Sequence, residues 1–165
     1  MENYIVLNGK RTELTEEQLK ELGLIMEKKN PFERVDYGKS YYSIRVTGEV
    51  QMATEVNEDL NYKSYKIANY CTDREMLQQQ AYRENLNRLL WRYSMEHDGD
   101  KIDWNDNNQS KYYINYSYSA ERFYTNWHSI SRNYAIAYFH TEEIAENAIK
   151  EIIEPFMKEH PDFKG

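Results

Sequence analysis

Two similar segments decide the predicted fold: YKIANYCT at residues 65–72 and YAIAYFHT at residues 134–141. Their matching residues lie 69 positions apart and share aromatic, aliphatic, small and threonine side chains at the same places. Alternating apolar residues indicate a strand, and a threonine just before a helical pattern is a typical N-cap. Each segment is therefore predicted to be a strand that leads to a helix, capped by Thr72 in the first copy and by Thr141 in the second.

A β-hairpin is predicted ahead of each of these segments. Apolar residues on both sides of a polar turn indicate the paired strands, which are residues 41–44 with 49–54 and residues 112–114 with 123–130. We interpret the chain from Tyr41 onward as two degenerate copies of one unit, a three-stranded meander followed by a helix. Because the chain contains 16 Tyr, coincidental similarity among Tyr-rich strands is the alternative.

The first 30 residues predict a small separate unit. Asn8 and Gly9 tolerate positive φ and suit a tight turn between strands at residues 4–7 and 10–14. A short helix follows. Thr15 and Gln18 have the spacing of a capping box at its start, and Gly23 is placed to end it. Leu19 and Leu22 are expected to face inward.

The predicted architecture is α+β, built from antiparallel meanders that are each followed by a helix. Its units are residues 1–30, the hairpin and short helix; residues 31–100, the first repeat; and residues 101–165, the second repeat. We expect the three units to form one compact domain, because 165 residues is an ordinary size for a single domain.

The long helix of the first repeat is predicted to end near Gly99 and has two apolar faces. One face is the stripe Tyr82, Leu86, Leu89, Leu90 and Tyr93. Leu77, Trp91 and Met95 project from the opposite side. A helix with two apolar faces is typically central in a layered fold, so we expect these three residues to be core. The alternative is that they form an exposed docking surface for another protein.

Composition and charge exclude several classes of function. The net charge of −7 argues against binding of duplex nucleic acid through a broad basic face. No apolar stretch approaches the ~20 residues of a membrane helix, so no membrane partner is expected. The single cysteine, Cys71, cannot form an internal disulfide, and no leader pattern is visible at the N-terminus. These features predict a cytoplasmic protein with a largely aromatic core.

One polar loop has part of the pattern of a calcium-binding loop. Asp103, Asn105 and Asn107 have the alternate spacing of calcium ligands. The twelfth position, which needs a bidentate glutamate, is Ile114, and Asn108 replaces the glycine of the sixth position. We therefore expect no metal site and interpret the segment as a capped polar loop.

No pattern of residues indicates catalysis. The histidines do not have the spacing that places two imidazoles on one helical face; they are His97, His128, His140 and His160. Cys71 precedes a predicted helix N-terminus, which would lower its pKa, but it needs a nearby histidine to act as a nucleophile. We expect no catalytic residues, no cofactor and no enzyme activity.

Five stretches of the chain, taken together, carry a resemblance to known proteins. They are NPFERV at 30–35, ANYCTD at 68–73, NRLLWR at 87–92, KIDWND at 101–106 and FMKEHPDF at 156–163. The chain resembles a group of small proteins encoded by phages and prophages of Gram-positive bacteria, and the similarity covers most of the chain from residue 30 onward. The resemblance implies a phage accessory protein and carries over no catalytic residue.

Small acidic phage accessory proteins without enzymatic motifs are often inhibitors of host factors, including anti-CRISPR proteins that block Cas9. By this analogy, we expect a protein that binds Cas9 or another defence nuclease stoichiometrically in the host cytoplasm. The candidate interface residues are Leu77, Trp91, Met95, Asp103, Trp104, Asp106, Glu142, Glu143 and Glu146. The alternatives are a protein that sequesters a nucleotide signal in a Tyr/Trp-lined pocket and a phage structural or assembly factor.

Overall fold

A computed structural model describes residues 4–7, 10–23, 30–133 and 137–164. The strands are β1 (Tyr4–Leu7), β2 (Lys10–Glu13), β3 (Ser40–Ile44), β4 (Val50–Thr54), β5 (Lys111–Ser117) and β6 (Arg122–His128). The helices are α1 (Glu16–Glu21), α2 (Asp59–Lys66), α3 (Arg74–Glu96), α4 (Glu142–Ala148) and α5 (Glu154–Glu159). A short 3₁₀ turn follows α3 at Gly99–Lys101, and a π-helical turn at Ile149–Ile153 joins α4 to α5.

The strands form three antiparallel hairpins, which confirms the α+β class and the hairpins predicted ahead of the helices. The predicted turn at residues 8–9 lies outside the described residues. Tyr42 of β3 makes one further bridge to Cys71, and Tyr112 of β5 makes one to Phe139. In the described part of each unit, this single bridge takes the place of the third strand of the predicted meander.

The third strand predicted at residues 65–70 is wrong. Residues up to Lys66 belong to α2, and Ala68 has a φ of 58°, in the left-handed region. Asn61 accounts for the difference, because its side chain accepts the backbone N–H of Glu58 at 3.2 Å and so caps the helix start. Local capping outweighs the β-propensity of the tyrosines and isoleucine that follow. Of the second predicted third strand, residues 134–136 lie outside the described residues.

The predicted repeat register is also wrong by one residue. Asp73 caps α3, since its carboxylate accepts the backbone N–H of Met76 at 3.0 Å, whereas the Thr72 hydroxyl donates to a backbone carbonyl of residue 31. Thr141 caps α4 as predicted and accepts the backbone N–H of Ile144 at 3.3 Å. The order of hairpin, bridge and helix recurs, but the predicted equivalence of Thr72 with Thr141 does not. The unit boundaries at residues 30 and 100 stay a prediction.

The N-terminal helix begins and ends where the sequence predicts. Thr15 and Gln18 exchange the two hydrogen bonds of a capping box, at 3.0 and 3.2 Å. Gly23 follows the helix with a φ of 66°. Leu19 is buried, but the prediction for Leu22 is wrong, because that side chain is 57% exposed just past the last helical residue.

The main core lies between α3, the C-terminal helices and the β5–β6 hairpin. It confirms the first apolar stripe of α3, of which Tyr82 and Leu89 are partly buried beside the core. The buried members of the cluster are Leu86, Leu90, Tyr93, Ala137, Phe139, Ala145, Ala148, Ile153, Phe156 and Phe163. Among the described residues, no helix combines the length and apolar character needed to cross a membrane.

The second stripe of α3 is only partly core. Leu77 is fully buried, as expected, but Trp91 is 63% exposed and Met95 is 44% exposed. The β3–β4 hairpin contacts α3, and its bridge to Cys71 holds it near the helix N-terminus. The hairpin therefore does not cover the C-terminal half of the helix, and the prediction that Trp91 and Met95 belong to the core is wrong.

Candidate functional site

The candidate interface residues fall on three parts of the molecule: α3, the loop before β5, and the start of α4. Leu77 cannot be part of an interaction surface, because its side chain is fully buried.

The exposed stripe on α3 has the regular spacing of one helical face. We define the α3 outer face as Arg88, Trp91, Arg92 and Met95. These side chains line a surface hollow of about 670 Å³ together with Asn85, Leu89 and Glu96. The face is carried by a helix of 23 residues, so regular backbone geometry fixes the spacing of these four residues.

The charges on this face are locally balanced. Arg88 pairs with Glu84 at 3.0 Å and Arg92 approaches Glu96 at 4.0 Å, both as neighbours one helical turn apart. Exposed pairs of this kind contribute little to stability, but they neutralise the two guanidinium groups that line the same hollow as Trp91. In a chain of net charge −7, the α3 outer face is a nearly neutral region with a large apolar centre.

The candidate residues of the loop before β5 already have structural contacts. The Trp104 ring packs edge-on against Tyr138, with ring centroids 5.0 Å apart, and the Arg132 guanidinium lies 4.3 Å from the Trp104 centroid. Asp103 and Asp106 are exposed, and each accepts a backbone N–H two residues ahead, at 2.8 Å. These contacts stabilise the turns of the loop.

The inside of this loop is occupied by a lysine. Lys111 is fully buried, and its ammonium group donates to the backbone carbonyls of Asp106, Gln109 and Ser129. These bonds supply the partners that a buried charge requires. Among the residues that the structure describes, no group of His, Cys, Asp and Glu side chains is arranged to hold a metal ion.

We predict that millimolar calcium leaves the melting temperature unchanged. Two carbonyl oxygens of the calcium-like loop, those of Asp106 and Gln109, are already bonded to Lys111, and Ile114 stands where the bidentate ligand is needed. A ligand that binds the native state would stabilise it by mass action. Thermal melting with calcium and with chelator measures this. A rise with calcium that chelator reverses would contradict the prediction.

The acidic candidates at the start of α4 are exposed. Glu142 accepts a hydrogen bond from the Thr125 hydroxyl of β6 at 3.2 Å. Glu142 and Glu143 lie in the first turn of α4, where carboxylates are favoured by the helix dipole, and Glu146 is one turn further on. Glu142 and Glu143 are therefore placed to stabilise the start of α4, and none of the three carboxylates is among the described residues that line the hollow of the α3 outer face.

Cys71 lies in the interior and not in an accessible site. The thiol is fully buried, and burial raises its pKa, opposite to the lowering expected from a nearby helix N-terminus. The Asp73 backbone N–H donates to the sulfur at 3.4 Å. Three histidines pack against tyrosines: His97 stacks on Tyr93 and His128 on Tyr113, and His160 contacts Tyr82 at a tilt of 30°.

A buried charge network joins distant segments of the first unit and was not predicted from the sequence. Glu55 is fully buried, and Arg34 donates two hydrogen bonds to its carboxylate, both at 2.9 Å. The Tyr70 hydroxyl donates to the same carboxylate at 3.0 Å, and the Asn57 backbone N–H does so at 2.8 Å. Because these donors saturate the carboxylate, the network holds the fold together and offers no free base.

The pKa values of this network follow from its contacts. The hydrogen bond from Arg34 lowers the pKa of Glu55 to about 2, against the opposing effect of burial. Burial raises the pKa of Tyr70 to about 12. The Tyr70 ring also stacks on Tyr41, with centroids 3.8 Å apart. The only sequence signal for this network is the arginine of the NPFERV motif.

A second hollow, also of about 670 Å³, lies between the β3–β4 turn, α3 and the end of α5. Its lining is mainly charged and amide side chains, including Arg45, Arg74 and Gln78. Tyr82 lines it too, and the Tyr82 ring packs against the His160 ring, with centroids 4.4 Å apart and a tilt of 30°. No tryptophan is among the described residues of this lining, in contrast to the Tyr/Trp pocket that a nucleotide-sequestering protein would require.

The geometry of the surface therefore favours the α3 outer face among the candidates. Of the three tryptophans in the chain, Trp91 is the most exposed, at 63%, followed by Trp127 at 55% and Trp104 at 36%. The chain matches no protein-family model, no curated protein and no solved structure.

Proposed function

We propose that the protein acts by stoichiometric binding to another protein through the α3 outer face. The observation that carries this proposal is the exposure of Trp91, at 63%, beside Met95, at 44%, on a rigid helix. Tryptophan, methionine and arginine are enriched in protein interfaces, and tryptophan is a frequent energetic anchor. The α3 outer face combines all three residue types around one hollow.

The target that we propose is a bacterial defence nuclease, with Cas9 as the first candidate. The support is the resemblance to small phage and prophage proteins, which implies action on a host factor in the bacterial cytoplasm. The net charge of −7 also favours encounter with a positively charged protein, since complementary charge speeds association. Nucleases that hold nucleic acids present such basic surfaces.

We favour protein binding over the alternatives for a reason of geometry. A nucleotide-sequestering protein needs a concave site with aromatic stacking surfaces, and the Tyr82 ring of the second hollow is already in contact with the His160 ring, tilted by 30° to it. The α3 outer face, in contrast, leaves the Trp91 ring exposed. That the chain has no enzyme activity and no cofactor stays a prediction, as does a role in phage assembly.

The proposal is tested by titrating the protein into a Cas9 DNA-cleavage reaction. We expect cleavage to be lost as the molar ratio of protein to Cas9 reaches one, because binding is stoichiometric. A complex with one copy of Cas9 should elute from size-exclusion chromatography. Full cleavage at a large molar excess of the protein would exclude Cas9 as the target.

A further inference from the structure

The outer edge of β6 carries backbone groups that point away from its own hairpin. Tyr112 of β5 exchanges both backbone hydrogen bonds with Phe139, at 3.0 and 2.8 Å. Tyr112 and its partner across the hairpin, Trp127, therefore form a pair without backbone hydrogen bonds between them. Such pairs alternate with hydrogen-bonded pairs along an antiparallel ladder, so Thr125 and Phe123 are in pairs of the same kind as Trp127. The N–H and C=O groups of Phe123, Thr125 and Trp127 accordingly point to the outer edge.

This edge has little of the protection that edge strands normally have. Charged residues, prolines and bulges usually keep such edges from pairing. The strand RFYTNWH has no proline and one formal charge, Arg122, and it pairs with β5 over seven residues without a bulge. Its one protective contact in the described part is local: the Asn126 side chain accepts the Trp127 N–H at 2.8 Å.

We propose that the outer edge of β6 pairs antiparallel with the same edge of a second copy of this chain. Two hairpins would then form one four-stranded sheet, with the two-fold axis at Thr125. Thr125 would pair with Thr125 of the second copy, and Phe123 would lie opposite Trp127. A two-stranded hairpin is marginal by itself, and the added strands complete the hydrogen bonds of its open edge.

The strand itself indicates that the occupant is a second copy. Phe123 and Trp127 lie two positions from Thr125 on either side, so a two-fold axis at Thr125 places an aromatic residue opposite an aromatic residue. Cross-strand aromatic pairs stabilise antiparallel sheets. Two copies of net charge −7 repel each other, but β6 itself contains no carboxylate. The nearby Glu142 carboxylate accepts a hydrogen bond from the Thr125 hydroxyl at 3.2 Å, and because strand side chains stand perpendicular to the sheet, that carboxylate lies over the face of the sheet and not along its edge. This inference does not depend on the proposed function, because the α3 outer face is a separate surface.

The outer edge of β4 provides a matched control. Tyr42 exchanges both backbone bonds with Cys71, at 2.7 and 3.0 Å, and pairs across the hairpin with Met52. The Met52 N–H therefore also points outward. The β4 strand has five residues and β6 has seven, and β4 lacks aromatic residues. A proline at Met52 should remove an equivalent outward N–H without affecting dimerisation.

Sedimentation velocity over a range of protein concentrations tests the proposal. We expect the wild-type chain to form a dimer and Thr125→Pro to be a monomer that keeps the circular dichroism of the folded chain. The lost N–H is not bonded within the hairpin, and the hydroxyl that is lost with it makes only an exposed hydrogen bond to Glu142. Met52→Pro and Trp91→Ala should remain dimers. A wild-type chain that stays monomeric at the highest concentration, or a dimer that Met52→Pro abolishes and Thr125→Pro does not, would overturn the proposal.

A second variant decides the case in which Thr125→Pro fails to fold. Trp127→Lys changes a side chain that is 55% exposed and places a lysine, a typical protective residue of edge strands, on each copy of the edge. We expect this variant to fold and to be a monomer. Retention of the wild-type dimer by Trp127→Lys would contradict pairing through β6.

Discussion

Replacing Glu55 with glutamine is expected to destabilise the protein by about 3 kcal/mol. The carboxylate is fully buried and accepts two hydrogen bonds from Arg34, one on each oxygen. The glutamine amide has only one oxygen that can accept these bonds, and it carries no charge. Removal of one partner of a buried ion pair leaves the other charge uncompensated. The Arg34 side chain is 31% exposed, so water takes up part of its charge and the loss lies at the low end for such pairs.

The matched control is Glu75→Gln, which makes the same chemical change in an exposed ion pair. Glu75 contacts Lys164 at 2.6 Å, and the two side chains are 73% and 71% exposed. Exposed pairs contribute at most about 1 kcal/mol. Denaturant unfolding of the two variants measures the difference. Equal stability of Glu55→Gln and Glu75→Gln would show that the buried network does not hold the first unit together.

The same variant has a defined pH dependence. The pKa of Glu55 is lowered from its ordinary value of 4.5 to about 2 in the folded protein. A carboxyl group with a lowered folded pKa stabilises the fold above its unfolded pKa and loses that contribution as the pH falls toward the folded value. The stability gap between wild type and Glu55→Gln should therefore close as the pH falls from 4.5 to 2. A constant gap over this range would contradict the role assigned to the charge.

Features that depend on neighbouring residues could be predicted from the sequence. The capping box of Thr15 and Gln18 and the cap at Thr141 involve residues three positions apart, and both are present. The β-hairpins follow from alternation of side chains on each strand. The α+β class follows from these local elements, because each hairpin is followed by a helix whose start is marked by a capping residue.

Features that depend on distant contacts could not be predicted. Residues 65–70 have a strand-like pattern, but they follow a helix whose local cap, Asn61, is held from a distance: its amide donates to the Tyr41 hydroxyl at 2.9 Å, across 20 positions. The charge network of Arg34 and Glu55 spans 21 positions. No spacing rule connects residues that far apart, so the pattern of residues 65–70 alone indicated a strand where the structure has the last two residues of α2 and the non-helical segment after it.

The error on α3 has a similar cause. Leu77, Trp91 and Met95 lie on one side of the helix by their spacing, and a helical projection treats them as equivalent. The structure distinguishes them because the β3–β4 hairpin covers the N-terminal part of the helix, where Leu77 is fully buried, and leaves Trp91 63% exposed. The tertiary fold determines how much of the helix the hairpin covers, and the spacing of apolar residues along the helix carries no information about it.

Replacing Trp91 with alanine is expected to weaken target binding by about 2 kcal/mol or more, which is roughly a 30-fold loss of affinity. The melting temperature should be almost unchanged, because substitutions of exposed residues usually alter stability by less than about 0.5 kcal/mol. Tyr118→Ala is the matched control: Tyr118 is 80% exposed, is also aromatic, and lies in the turn between β5 and β6, away from α3.

The most direct test of the docking role of the α3 outer face is a set of binding measurements with Cas9. Calorimetry gives the affinity of Cas9 for wild type, Trp91→Ala and Tyr118→Ala, and the melting temperature of each protein is measured beside it. We predict that Trp91→Ala is stable and binds weakly, while Tyr118→Ala binds like wild type. Wild-type affinity in a stable Trp91→Ala variant would contradict binding through the α3 outer face.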